Sequence, residues 1–243
     1  MDPKGKVAII TGGARIGQTV AQALALRGCS LAFTYRASRK AAEVAAASAE
    51  AAGVRTLVVQ ADATDEAQIR SAIEQTAQAL GRLDILINMA STYIRTLEPT
   101  AADWNAALDA NARSAFLFSI HAAPIMKAGG GGRIINMSDW LVISGRPRYP
   151  GYTPYFASKA AVAAITESLA LDLAPDVLVN SIAPGPILAP PDLSAEELAE
   201  VMAATPLARW GGAEEIAKAA LFLVETDFVT GESIRVDGGR HLA

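Results

Sequence analysis

Short apolar runs rich in β-branched residues alternate with helical stretches from one end of this 243-residue chain to the other. The runs at 7–11, 31–35, 56–60, 83–88, 133–137, 177–182 and 233–236 have the length and bounded ends of buried strands. Helical stretches lie between them. Ile16, Val20 and Leu24 form the stripe of one that ends at Gly28. Others run from Ser38 to Gly53, from a Thr64-Asp65 cap to Leu80, over 102–126, from Tyr155 to just before Pro175, and over 212–224. Such alternation implies a parallel sheet covered on both faces and joined by right-handed crossovers. No linker or repeat interrupts it, so residues 1–243 read as one α/β domain. The irregular part is 184–194, with prolines at 184, 186, 190 and 191. It is too long for a plain connection and reads as a mobile flap over a site, reaching to residue 205. The alternative is a plain surface loop.

Composition narrows the function. Apolar residues make up 51%, yet charged residues interrupt every run before the roughly 18 positions needed to span a membrane. A formal net charge of −4 offers no basic face for nucleic acid. Cys29 is the one cysteine, which rules out an internal disulfide and points to a reducing, cytoplasmic compartment. The first residues, Met-Asp-Pro-Lys-Gly-Lys, contain no signal-peptide core. His121 and His241 are too few for a His-rich metal site, and no metal is expected.

Three stretches carry chemistry. In the first, Gly12-Gly-Ala-Arg-Ile-Gly17 follows a strand and opens a helix. Glycines there let backbone N–H groups approach a phosphate, and the helix N-terminus favours its charge. A structural turn is the other reading. In the second, Tyr35-Arg36-Ala-Ser38-Arg39-Lys40 follows the next strand. A nucleotide with a bare ribose 2′-hydroxyl usually meets an acid at this place. Here there is none, and the basic residues suit a 2′-phosphate, hence NADP(H). Basic residues at a helix N-terminus oppose its dipole, which also favours a bound anion. In the third, Gly151-Tyr-Thr-Pro-Tyr155-Phe-Ala-Ser-Lys159 sets a phenol and an ammonium four residues apart. That spacing puts both on one helix face, where the ammonium is expected to lower the phenol's pKa and make the pair a proton donor and acceptor.

From Lys6 to the end the chain resembles the short-chain dehydrogenase/reductase family. The matching motifs are Thr11-Gly12 with Gly17, Asp62, Asn88-Met-Ala90, Asn111, Tyr155-x-x-x-Lys159, Pro184-Gly185 and the ending Val229-Thr-Gly231 with Val236-Asp-Gly-Gly239. The resemblance implies a Rossmann-type, doubly wound parallel sheet of seven strands and hydride transfer between NAD(P) and a carbonyl or imine. It implies that Tyr155 gives the proton, that Lys159 holds the nicotinamide ribose and tunes Tyr155, and that Asn111 supports a proton relay. Gly12, Arg15, Ile16, Gly17, Tyr35, Arg36, Ser38, Asp62, Ala63, Asn88, Ala90, Lys159, Pro184, Gly185 and Ile187 would line the cofactor. A homotetramer is also implied, and the apolar helix after Tyr155 is consistent with it.

Three departures from the family pattern point inside the family. The glycine loop is one residue short and carries Arg15, Met89 replaces an asparagine, and the catalytic serine position falls on Asp139, with Ser138 just before it. Arg15-Ile-Gly17, Ala90-Ser91-Thr92-Tyr93, Asn136-Met-Ser-Asp139 and Gly151-Tyr-Thr-Pro-Tyr155 are similar to the corresponding stretches of pteridine reductases. That likeness implies Ser91, Tyr93, Trp140 and Tyr155 at the substrate, with Tyr93 stacked on its ring and Asp139 catalytic. The interval from Asp139 to Tyr155 is longer than in that group, which places an insertion at 144–150. Tyr93 also reads as a simple loop aromatic, Asp139 as a turn cap or a partner of Arg146 or Arg148, and Trp140 as a pocket wall or core residue rather than a specific ligand.

The expected function is an NADPH-dependent reductase with a pteridine-like substrate, or alternatively a 3-oxoacyl thioester or general ketone. A non-catalytic dinucleotide-binding redox sensor is the reading from another class. A sensor has no need of a proton donor, so Tyr155, Lys159 and Asn111 weigh against it.

Overall fold

Buried parallel strands need apolar side chains on both faces, and that is how the first strand is built. In β1 (Val7–Thr11), Val7 and Ile9 enter one hydrophobic core while Ala8 and Ile10 enter the other. The computed structural model describes residues 1–12, 15–144, 149–190 and 193–242. Outside them lie Gly13 and Ala14 of the glycine loop, Arg146 and Arg148 within the 144–150 insertion, and Pro191.

Around β1 stand β2 (Ser30–Tyr35), β3 (Thr56–Gln60), β4 (Ile85–Asn88), β5 (Gly132–Met137), β6 (Val177–Pro184) and β7 (Ser233–Val236). They form one seven-stranded sheet in the order β3-β2-β1-β4-β5-β6-β7, with every neighbour parallel. The chain winds outward from β1 to β3, then crosses back to β4. The reversal opens a crevice at the carboxyl ends of β1 and β4, where doubly wound sheets bind ligands. Register aligns Thr11 with Asn88 and Asn88 with Asn136, so the loops after β1, β4 and β5 leave the sheet together.

One face is covered by α1 (Ile16–Ala25), α2 (Arg39–Glu50) and α9 (Ala213–Glu225), whose Leu24, Ala45 and Leu223 pack with Ile10 and Phe33. The other is covered by α3 (Glu66–Leu80), α5 (Ser114–Ala128) and α7 (Thr153–Leu173), whose Ile73, Phe118 and Leu169 pack with Ile9 and Leu86. Caps follow the sequence closely at α3. The Asp65 carboxylate accepts from the N–H groups of Ala67 and Gln68, and Gly81 closes the helix at φ 89°.

Three elements differ from the expectation. The stretch read as one helix over 102–126 is α4 (Ala101–Ala107), a π-helical turn (Leu108–Arg113) and α5. Such π turns mark places where a side chain is put to use, and Asn111 sits in this one. A short helix, α6 (Trp140–Ser144), follows β5. The segment expected to be a flap to residue 205 contains α8 (Ala195–Ala203), which buries none of its residues. Ser194 and Glu197 form a reciprocal capping box that starts it, a pattern present in the sequence beside the prolines.

Candidate active site

Tyr155 and Lys159 lie in the first two turns of α7, which Pro154 starts without losing a helical hydrogen bond. Both are buried, at 8% and 4% exposure. The phenol donates to Asp139 Oδ2 at 2.9 Å. Asp139 comes from the loop after β5, and its Oδ1 accepts the N–H of Leu141 at 2.9 Å, so the carboxylate caps α6 and receives the phenol at once. Ser138 points elsewhere. Its N–H donates to the Ile182 carbonyl and its hydroxyl reaches the Lys159 carbonyl at 3.3 Å. Of the two positions, Asp139 faces the phenol.

Lys159 Nζ lies 5.8 Å from the centre of the Tyr155 ring and donates to the Met137 carbonyl at 2.8 Å. Asn111 reaches α7 through Ser158, donating to its hydroxyl at 2.9 Å. Its amide also brackets the backbone of Thr92, accepting from the N–H at 2.7 Å and donating to the carbonyl at 3.1 Å. Asn111 thus ties the loop after β4 to the helix that carries Tyr155.

The charges behave differently from the sequence expectation. Tyr155 is pushed well above its usual 10, first by burial and then by the charge and hydrogen bond of Asp139. The ammonium does not lower it. Lys159 is itself brought down to about 8 because burial disfavours its charge, with Asp139 opposing. The site therefore holds a protonated phenol against a carboxylate, with a weakened ammonium one turn behind.

The nucleotide positions gather at the carboxyl ends of β1, β2, β3, β4 and β6. Gly12 has φ 67°, and a Cβ there would stand 3.0 Å from Ala90 Cα. The cradle between the loops after β1 and β4 is therefore one that a side chain would fill. Thr11 was quoted in the motif without a role, yet its buried hydroxyl accepts from the N–H groups of Met89 at 2.9 Å and Ala90 at 3.0 Å and shapes that cradle. Arg15 is the N-cap of α1 at φ 53° with no side-chain cap bond, and the first turn through Ile16 and Gly17 has no acid. A phosphate fits such an end. The next junction is equally open. Ser38 caps α2 without using its hydroxyl, and no acid lies in the first turn. Arg39 is committed to Glu43 at 2.8 Å, which leaves exposed Arg36 and Lys40 beside the end of Tyr35. Asp62 turns onto the Thr64 N–H and hydroxyl, which hold it below the usual carboxylate range, helped by Arg36; Ala63 packs beside it toward the core. At β6, Pro184 ends the strand, the Gly185 N–H donates to Val236, and Ile187 is buried with its carbonyl accepting from Gly212. Asn88 faces inward. Its amide donates to Asn136 Oδ1 at 2.8 Å, and Asn136 donates to Thr166, a buried link from β4 through β5 to α7. These residues fit a dinucleotide.

On the substrate side, Ser91 is exposed and Trp140 packs against Leu141, Tyr155 and Phe156. Tyr93 stacks on Tyr152, with ring centres 4.6 Å apart and planes at 19°, and meets Tyr155 edge-on at 4.7 Å. Tyr152 was quoted in the motif without a role.

The family described as enoyl-(acyl carrier protein) reductase matches residues 13–241. A short-chain type dehydrogenase/reductase of Picea abies is 34% identical, covering 97% of this chain and 92% of its own. The chain belongs to the short-chain dehydrogenase/reductase family. As a member it is an NAD(P)-dependent oxidoreductase with a Rossmann-like sheet. The 3-oxoacyl-(acyl-carrier-protein) reductase of Staphylococcus aureus (strain Mu50) is 33% identical, covering 98% of each chain. A Serratia marcescens short-chain dehydrogenase/reductase double mutant superposes with a TM-score of 0.91 at 34% identity over 99% of this chain and 100% of its own. A blue fluorescent protein from a metagenomic library, solved in complex with NADPH, gives 0.88 at 36% identity over 99% of each. Among the described residues no helix is long and apolar enough to cross a membrane.

Proposed function

We propose that the chain is an NADPH-dependent reductase of a carbonyl compound, with Tyr155 as the proton donor. The hydrogen bond from the Tyr155 phenol to Asp139 carries this reading, because it puts a protonated donor beside a fixed carboxylate at the crevice. The nicotinamide, when bound, supplies hydride to the carbonyl carbon. Tyr155 then gives its proton to the carbonyl oxygen, so that a C=O becomes a CH–OH. Burial keeps the phenol protonated until that moment. Lys159 binds the ribose, and Asn111 holds the helix and the loop on either side of the donor. Arg15 and the α1 N-terminus take the pyrophosphate, and Arg36 and Ser38 take the 2′-phosphate.

The substrate class best supported is a 3-oxoacyl thioester or related ketone, because 3-oxoacyl reductases stand among the relatives. A second reading, a pteridine-like ring, rests on Asp139. An ionised carboxylate only accepts hydrogen bonds, so it suits a substrate N–H better than a carbonyl oxygen. Its other supports are the motif likenesses at Arg15 and at Ala90-Ser91-Thr92-Tyr93.

One turnover screen with NADPH separates these readings, run on 3-oxoacyl thioesters, quinones and dihydropteridines. The parent is expected to reduce the thioesters, and Tyr155→Phe to lose about 10²–10⁴-fold in turnover while still binding NADPH. A Phe variant within about twofold of the parent removes Tyr155 from its role. Turnover of dihydropteridines alone, weakened in Asp139→Ser, makes the second reading the correct one.

A further inference from the structure

The loop after β4 has no regular structure from residue 89 to 100, and Tyr93 within it is 56% exposed. Its ring is nevertheless placed with care. Asn111 grips the backbone of Thr92 from one side. On the other side the Thr96 N–H donates to the Gly151 carbonyl at 2.8 Å. Gly151, at φ 85°, lets the two segments close, since a Cβ there would stand 3.0 Å from Arg95 Cγ and 3.2 Å from Leu97 Cδ2. These contacts bring Tyr93 onto Tyr152, the residue after Gly151 and the N-cap of α7. The two rings stack at 4.6 Å, and Tyr93 meets Tyr155 at 4.7 Å with planes at 86°. Tyr152 lies 6.5 Å from Tyr155, so the three centres form nearly a right angle at Tyr93. Tyr155 itself is only 8% exposed, and as the donor its hydroxyl has to be reached by a substrate.

We propose that Tyr152 is a positioning residue: by stacking on Tyr93 it holds that ring as a cover against the proton donor Tyr155. The proposal rests on the reading of Tyr155 as donor. Tyr152 does not touch the reacting atoms. It fixes an otherwise exposed loop aromatic, and that aromatic keeps water from the phenol. Aromatic stacking supplies orientation that an aliphatic side chain of similar bulk lacks. A substrate that enters must pass the covered edge, so the pair also filters shape.

The test reads the cover directly and needs no turnover. The chain is treated with N-acetylimidazole, and acetylation of Tyr155 is followed by peptide mass spectrometry. Tyr152→Leu is expected to speed acetylation of Tyr155 roughly five- to tenfold, the size of one aromatic pair's contribution. Tyr152→Phe keeps the stack and loses only the hydrogen bond between the Tyr93 and Tyr152 side chains, so it is expected to stay within about threefold of the parent and below Tyr152→Leu. Tyr93→Leu should deprotect to the same extent, and the double variant no further than either single one, because all three lose one shared contact. If Tyr152→Leu does not fold, Tyr93→Leu on the exposed loop carries the same comparison. Equal protection in the Leu and Phe variants, or additive losses in the double variant, would overturn the proposal. Full turnover in Tyr155→Phe would overturn the donor reading whatever the acetylation shows. Unchanged acetylation in Tyr152→Leu sinks the cover and leaves the donor reading intact.

Discussion

Lys159 shows how far a single residue's behaviour depends on burial. Its folded-state pKa is about 8 against 10.5 for the ordinary side chain. Below about pH 8 both the folded and unfolded chains hold the proton, and the fold bears the full cost of a buried ammonium. Between 8 and 10.5 the folded state has released its proton while the unfolded state still binds it, so stability rises with pH. Above 10.5 the difference is gone. Lys159→Met removes the titration. The unfolding free energy of the variant relative to the parent is expected to fall by about 2 kcal/mol from pH 7 to pH 10. Denaturant melts across that range measure it, and a pH-independent difference would contradict the assignment. The parent tolerates the cost for the position of the ammonium, one helical turn from the phenol.

At the scale of elements, we propose that the junction of β2 and α2 selects the nucleotide. The N-terminus of α2 has no acid in its first turn and no side-chain cap bond. Arg39 is paired along the helix with Glu43, and the proposed partner of a 2′-phosphate is Arg36. A hydrogen bond to a charged group contributes about 1.5–3 kcal/mol, which is roughly tenfold or more in affinity. Arg36→Asp should therefore weaken NADPH binding by at least about tenfold and turn the preference toward NADH. Fluorescence titration of both nucleotides decides it, and equal affinities in the parent would defeat the argument. The broken helix over 101–128 belongs to the same scale. Asn111 lies in the π turn, and its amide donates to both the Thr92 carbonyl and the Ser158 hydroxyl.

The whole molecule leaves apolar surface that a monomer does not use. Leu171 on α7 and Phe116 on α5 are 84% and 39% exposed. A cavity of about 260 Å³ on the same helix is lined by Tyr149, Thr153, Phe156, Ala157 and Ala160. Among the described residues β7 ends the sheet with an unpaired edge, the kind that a second chain extends. We propose a homotetramer that covers these faces. Light scattering at micromolar concentration is expected to report four times the 25.2 kDa chain mass. A monomer there would refute it, and Leu171→Glu should shift any tetramer toward smaller species.

The sequence alone determined the sheet, because strand and helix periodicity and caps are local properties. β1, β3 and β7 occupy the expected positions, and Asp65 caps α3 where its spacing to the helix requires. The same local chemistry put Tyr155 and Lys159 on one helix face and cleared the acid from the start of α2. What it left open depends on groups that meet only in space. The choice of Asp139 over Ser138 is made by the path of the chain leaving β5, which turns one side chain to the phenol and the other under Lys159. The upward shift of Tyr155 comes first from burial and then from Asp139, which the chain brings in from the loop after β5. Tyr152 gains its partner from a loop 59 positions earlier, a pairing that no spacing along the chain encodes. Burial and long-range contact are properties of the packed molecule, and here they decided how the site's residues face one another.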